Sequence, residues 1–147
     1  MHYVYPEQWT QADRRYVEQV AGSWKALGLQ WSFTDDPNRS PNHCPHDWPA
    51  KNLVDCVIDV GLYKKDGMAE QGSAGWSNRA TNESWIDSRW TGLYLLHVVA
   101  HEIGHQVLNT SEHLADKGIM MSGWNEWLAS SADHALACKT IKRACNK

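Results

Sequence analysis

Apolar and polar residues change their spacing along the chain, and each spacing predicts an element. His2 to Tyr5 alternates as a short strand does, and Pro6, which has no N–H to give a ladder, closes it. Thr10 is placed as an N-cap before Ala12, Tyr16, Val17, Val20, Trp24 and Leu27, whose spacing predicts an amphipathic helix of about five turns ended by Gly28. Leu29, Trp31 and Phe33 alternate with polar residues and predict a second strand. From Asp35 to Lys51 no period remains and four of the five prolines cluster, which predicts a long loop. Leu53 to Val60 is a β-branched apolar run suited to a strand inside a sheet, followed by a polar connection from Lys64 to Gly72. Ser73 to Ser77 and Ser84 to Ser88 are short strand candidates flanking a polar loop from Asn78 to Glu83.

Trp90 or Thr91 opens a second helix in which Leu93, Tyr94, Leu95, Leu96, Val98, Val99, Ala100, Ile103, Val107 and Leu108 leave almost no polar face. Such a helix is buried all round, and Asn109, tolerant of the left-handed conformation, is expected to end it. A turn around Gly118 to Gly123 precedes a last helix capped by Ser130 or Ser131 and running towards Cys145, with Leu136 and Ile141 inward.

Composition narrows the class. A chain of 147 residues suits one domain, expected to span residues 1–147. Fourteen basic against 17 acidic residues give no footprint for nucleic acid and no basic face for a membrane, and no run approaches the roughly 18 apolar residues of a membrane span. The amino terminus lacks a basic stretch followed by an apolar one, so no signal peptide is expected, and the compartment and oligomeric state stay open. Nine tryptophans against one phenylalanine are taken as core and cleft residues rather than as sugar binders. Cys44, Cys56, Cys138 and Cys145 allow two disulfides in any of three pairings. Residues 138 and 145 stand roughly 10 Å apart on one helix, so they bridge only if that helix ends between them, whereas Cys44 and Cys56 are the easier local pair.

The chemistry concentrates between His97 and Met121. Within HEIGH, His101 and His105 lie at i and i+4 on one helix face and can grip one ion, while Glu102 between them can take a proton from a metal-bound water. His113, eight residues on, is the expected third ligand, because three protein ligands leave the open position a catalytic site needs. Glu112 and Asp116 are the alternatives for that third place. His97 continues the stripe, but ends eight residues apart span about 12 Å, so it is placed behind the site or in the core. His43, Cys44, His46 and Asp47 are read as loop residues rather than a second metal site, and His2 and His134 as surface residues. Asp59 and Asp87 could bind calcium, but exposed positions are the reading preferred here, so calcium is not indicated.

With the two methionines of GIMM seven and eight residues after His113, these motifs resemble the metzincin metalloproteases, whose signature is HExxHxxGxxH followed by a methionine-containing turn. Over nearly the whole chain, the element order is similar to the small catalytic domains of matrix metalloproteinases. The resemblance implies an α+β fold with a mixed, mostly parallel twisted sheet of about five strands and an antiparallel edge strand, an active-site helix, a methionine turn and a C-terminal helix. It implies zinc on His101, His105 and His113, Glu102 as general base, and Met121, or else Met120, as the turn methionine. It also implies an edge strand at Ser73 to Ser77 that aligns substrate, with Gly75, Trp76 and Trp124 in contact with it. The family's glycine and third histidine would fall at Leu108 and Ser111, so His113 comes two residues late, which is read as a local insertion. The implied activity is zinc-dependent endopeptidase action on a peptide or protein. The rivals are a zinc-containing binding module of the same fold that hydrolyses nothing, and a minimal metallopeptidase with a glutamate ligand.

Overall fold

The computed structural model describes residues 2–4, 9–20, 23–24, 32–34, 59–108, 110–115, 118–122 and 128–140. Among these residues the elements are β1 (His2–Val4), α1 (Gln11–Gln19), β2 (Ser32–Thr34), β3 (Asp59–Lys65), β4 (Gly75–Asn78), β5 (Glu83–Asp87), α2 (Gly92–Leu108) and α3 (Ser131–Thr140), with a short 3-10 turn at Ala69–Gln71. The strands form one sheet in the order β2-β1-β3-β5-β4. Pairing is parallel between β1 and β2, β1 and β3, and β3 and β5, and antiparallel between β5 and the edge strand β4.

Thr10 begins α1 with a capping box, its hydroxyl accepting from the Asp13 N–H while the Asp13 carboxylate accepts from the Thr10 N–H. The described helix stops at Gln19, well short of the five turns expected; Val17, Val20 and Trp24 nevertheless turn into the core as their spacing requires. Strand β3 corrects the expected boundary, because it continues through Lys65 where the composition predicts a polar connection. Its parallel register with β5, from Gly61 opposite Glu83 to Lys65 opposite Asp87, occupies backbone groups that a loop would leave to water. Its polar end is also accommodated: Lys64 pairs with Asp13 and lies over the Trp9 ring.

Helix α2 runs through the centre of the core, buried from Leu95 to Leu108, with its first turn meeting solvent at Leu93. Trp24, fully buried, donates its indole N–H to the Ala100 carbonyl. Ser130 caps α3 by accepting from the Asp133 N–H, and Leu136 packs inward. Cys138 is disulfide-bonded. The predicted loop from Asp35 to Lys51, the run from Leu53 to Ile58, Asn109, Asp116, Trp124, Ile141 and the other three cysteines lie outside the described residues.

Candidate metal centre

His101 and His105 project from adjacent turns of α2, and the chain leaving the helix brings His113 back against them. The Nε2 atoms of His105 and His101 are 3.2 Å apart, those of His105 and His113 3.1 Å. The ligand-capable nitrogens of all three lie within 4.8 Å of one another, close enough to hold one metal ion. The reverse faces of the two helical rings are fixed by backbone. His101 Nδ1 is 2.7 Å from the Ile119 carbonyl and His105 Nδ1 is 2.8 Å from that of Thr110. A carbonyl only accepts, so each Nδ1 carries the proton and each Nε2 turns a bare lone pair to the cluster, as a metal ligand requires.

Electrostatics favour the same state. Burial, then repulsion from neighbouring histidines, lowers His101 to about 3, and burial lowers His105 to about 4. Both rings are therefore neutral at physiological pH and ready to coordinate. Donor set, tautomers and charge fit a borderline-soft divalent ion such as zinc.

Glu102 lies beside the cluster, almost entirely buried, and burial pushes its carboxyl up to about 7 against the partial pull of a hydrogen bond from Ser77. That bond, from Ser77 Oγ to Glu102 Oε2, is 2.6 Å long. Gly75, two residues back on the same face of β4, makes room: a Cβ there would stand 2.9 Å from both Cγ and Oε1 of Glu102. Trp76 points to the other face, over half exposed, with its ring stacked 5.0 Å from that of Trp85. A cleft of about 700 Å³ joins β4, the three histidines and Glu102.

Around this centre, Glu112 turns its carboxylate towards Lys139 of α3, 3.8 Å away, and not to the histidines. His97 is buried between the rings of Tyr94 and His101 and borders the cleft. Of the two methionines, Met120 is fully buried, its Sδ filling the place a Cβ on Gly104 would take, while Met121 is partly exposed. Asp87, expected at the surface, is buried and accepts from the backbone N–H groups of Ala69 and Arg89, so its carboxylate is spent on the turns before β4 and after β5.

Asp133 is a member of the site that sequence reasoning does not reach. Fully buried at the start of α3, it accepts from Ile119 N–H and Met120 N–H, and so anchors the segment whose Ile119 carbonyl orients His101. Its sequence signal is the capping pattern at Ser130 alone, and its second role depends on a contact between segments far apart in the chain. Ser77, Ser84 and Gln106 escape sequence reasoning for the same reason.

No protein-family model matches the chain, and no curated protein matches it. Among solved structures it is similar to archaemetzincin from Archaeoglobus fulgidus, determined in complex with malonate, with a TM-score of 0.52 and 14% identity. The match covers 92% of this chain and 98% of that one, so the likeness is of the whole fold.

Proposed function

We propose that this protein is a zinc-dependent endopeptidase of metzincin type, with the domain plan of a minimal matrix-metalloproteinase-like catalytic domain. The observation that carries the reading is the convergence of three histidine Nε2 atoms beside a buried glutamate, in a cleft bordered by β4, the edge strand of the sheet among the described residues. The fold shared with archaemetzincin supports it. His101, His105 and His113 would hold the metal, and the turn methionine of this reading is Met120, the one packed against α2. When bound, zinc supplies Lewis acidity, polarising a peptide carbonyl and lowering the pKa of water towards about 7.

The chain's own residues do the rest. A substrate in extended form pairs with β4, the last strand of the sheet, so that backbone hydrogen bonds set its register and the cleft receives alternate side chains. Gly75 keeps the strand close to Glu102, and Trp76 offers an aromatic face at the rim. As water adds its oxygen to the scissile carbonyl carbon, Glu102 takes one of its protons and passes it to the amide nitrogen while the C–N bond breaks, leaving an amine and a carboxylic acid that then ionises.

The test is cleavage of a panel of quenched peptides by the zinc-loaded protein, with a chelated control. Glu102→Ala is expected to keep stoichiometric zinc and lose hydrolysis. Equal cleavage by that variant would overturn the reading.

A further inference from the structure

Ser77 and Ser84 face each other across the antiparallel β4–β5 pair, and Glu102 and Gln106 occupy i and i+4 on the helix above them. These four side chains form one hydrogen-bonded row. Gln106 Nε2 is 3.2 Å from Ser84 Oγ, Ser84 Oγ is 2.8 Å from Ser77 Oγ, and Ser77 Oγ is 2.6 Å from Glu102 Oε2. Gln106 is tied in turn to the carbonyls of Asn78 and Glu83, at 3.3 and 3.1 Å, one in each strand of the hairpin.

The direction of the row follows from the donors available. An amide nitrogen only donates, so Ser84 accepts from Gln106, whose two hydrogens are shared among Ser84 and the carbonyls of Asn78 and Glu83. Ser77 has one hydroxyl hydrogen, and the short contact to the Glu102 carboxylate takes it, leaving the 3.1 Å approach to the Glu102 carbonyl as the weaker contact. Ser84 must then donate to Ser77. The three side-chain bonds of the row all point at Glu102, and each polarises the next.

We infer that Ser77, backed by Ser84 and Gln106, is a positioning residue that ties down Oε2 of Glu102 and dedicates Oε1 to proton transfer. Oε1 lies under Gly75, in the place a side chain there would press on, and both residues line the cleft. Without Ser77 the carboxylate is free to rotate and to exchange the roles of its oxygens. The inference rests on the endopeptidase reading, since it assigns Glu102 a proton to carry.

Ser77→Ala should keep zinc stoichiometry and KM and lower kcat by about 10- to 100-fold, the scale of a misplaced catalytic group. Ser77→Thr, which restores the hydroxyl, should recover most of that loss, and Ser84→Ala should lose less than Ser77→Ala. A second readout needs no activity: in the metal-free protein, the infrared carboxylate band assigned to Glu102 by its disappearance in Glu102→Gln should shift in Ser77→Ala and return in Ser77→Thr. Unchanged kcat, or an unshifted band, in Ser77→Ala overturns the inference. Absence of cleavage by zinc-loaded wild type overturns the endopeptidase reading instead, and the infrared comparison still decides whether Ser77 holds Oε2.

Discussion

Replacing Asp133 by Asn leaves the shape of the side chain and removes its charge, and the hydrogen bonds around it fix what that costs. Oδ2 accepts from the N–H of Ile119, the N–H of Ser130 and the Ser130 hydroxyl, each at 2.8 Å, and Oδ1 accepts from the Met120 N–H at 2.9 Å. The amide NH2 of Asn is tolerated only in the Oδ1 place, since in the other it would confront three contacts rather than one. Even there it faces the Met120 N–H, donor against donor, where no water reaches because Met120 is fully buried. An unsatisfied buried N–H costs about 1–3 kcal/mol, and a lost bond to a charged group about 1.5–3 kcal/mol. The two overlap in part, and weakening of the remaining contacts adds to them, so the net expectation is about 3 kcal/mol. For a chain of this size that corresponds to a melting temperature lower by roughly 6–12 °C.

The damage should also reach the metal, because Ile119, whose N–H is held by Asp133, presents the carbonyl that orients His101. Zinc affinity should fall by about 10- to 100-fold, as when an outer hydrogen-bond partner of a ligand is lost. Thermal melts of metal-free protein and titration against a competing chelator measure the two effects separately. A metal-free melting temperature within a degree of wild type would refute the assignment of Asp133 as the anchor of this turn. A large fall in stability with unchanged zinc affinity would refute the coupling from Ile119 to His101.

His113→Ala should weaken zinc binding by more than about 100-fold, beyond what an outer partner alone contributes; full zinc occupancy measured by elemental analysis would show that the third ligand lies elsewhere. Gly118→Ala combines a φ of +125° with a Cβ placed 2.6 Å from both Asp133 Oδ2 and Ser130 Oγ, so chemical denaturation should register a loss of about 2 kcal/mol or more. Stability of the metal-free protein should fall with acidification. His101 and His105, near 3 and 4 when folded and 6.5 otherwise, give stability that is complete above 6.5 and lost as pH drops towards the folded values. Glu102, near 7 when folded against 4.5, acts in the opposite sense, since the folded form holds its proton across that window. Between 4.5 and 6.5 two histidine protons oppose one glutamate proton, leaving a net slope of about 1.4 kcal/mol per pH unit, to be read from denaturation midpoints. Glu102→Ala should steepen it, and a flat profile would contradict the burial of these groups.

The sequence is most legible where chemistry is local. HEIGH puts two histidines and a glutamate on neighbouring positions of one helix whatever surrounds it, and the apolar residues from Leu95 to Leu108 require that helix to be buried. The Thr10 cap and the strand expected at Ser84 to Ser88, found at Glu83–Asp87, are equally short-range, whereas the class of fold is what the family resemblance implies. The far end of β3 is harder, because Lys64 and Lys65 look like loop residues until the β5 ladder and Asp13 supply their partners. Asp87 looks like a surface acid for the same reason, one of its acceptors being taken up by Ala69, 18 residues earlier in the chain.

What the sequence by itself determined is which donors this protein has and that His101, Glu102 and His105 share one part of a buried helix. Tertiary structure decided how they are held: which carbonyls fix the ring tautomers, which methionine packs under the helix, that Glu112 leans to Lys139, and that a serine pair from a hairpin reaches Glu102. The reason is one of range. Helix geometry fixes side chains a few residues apart, whereas contacts across 13 to 25 residues, such as Asp133 with Met120 or Ser77 with Glu102, exist only once the elements have packed.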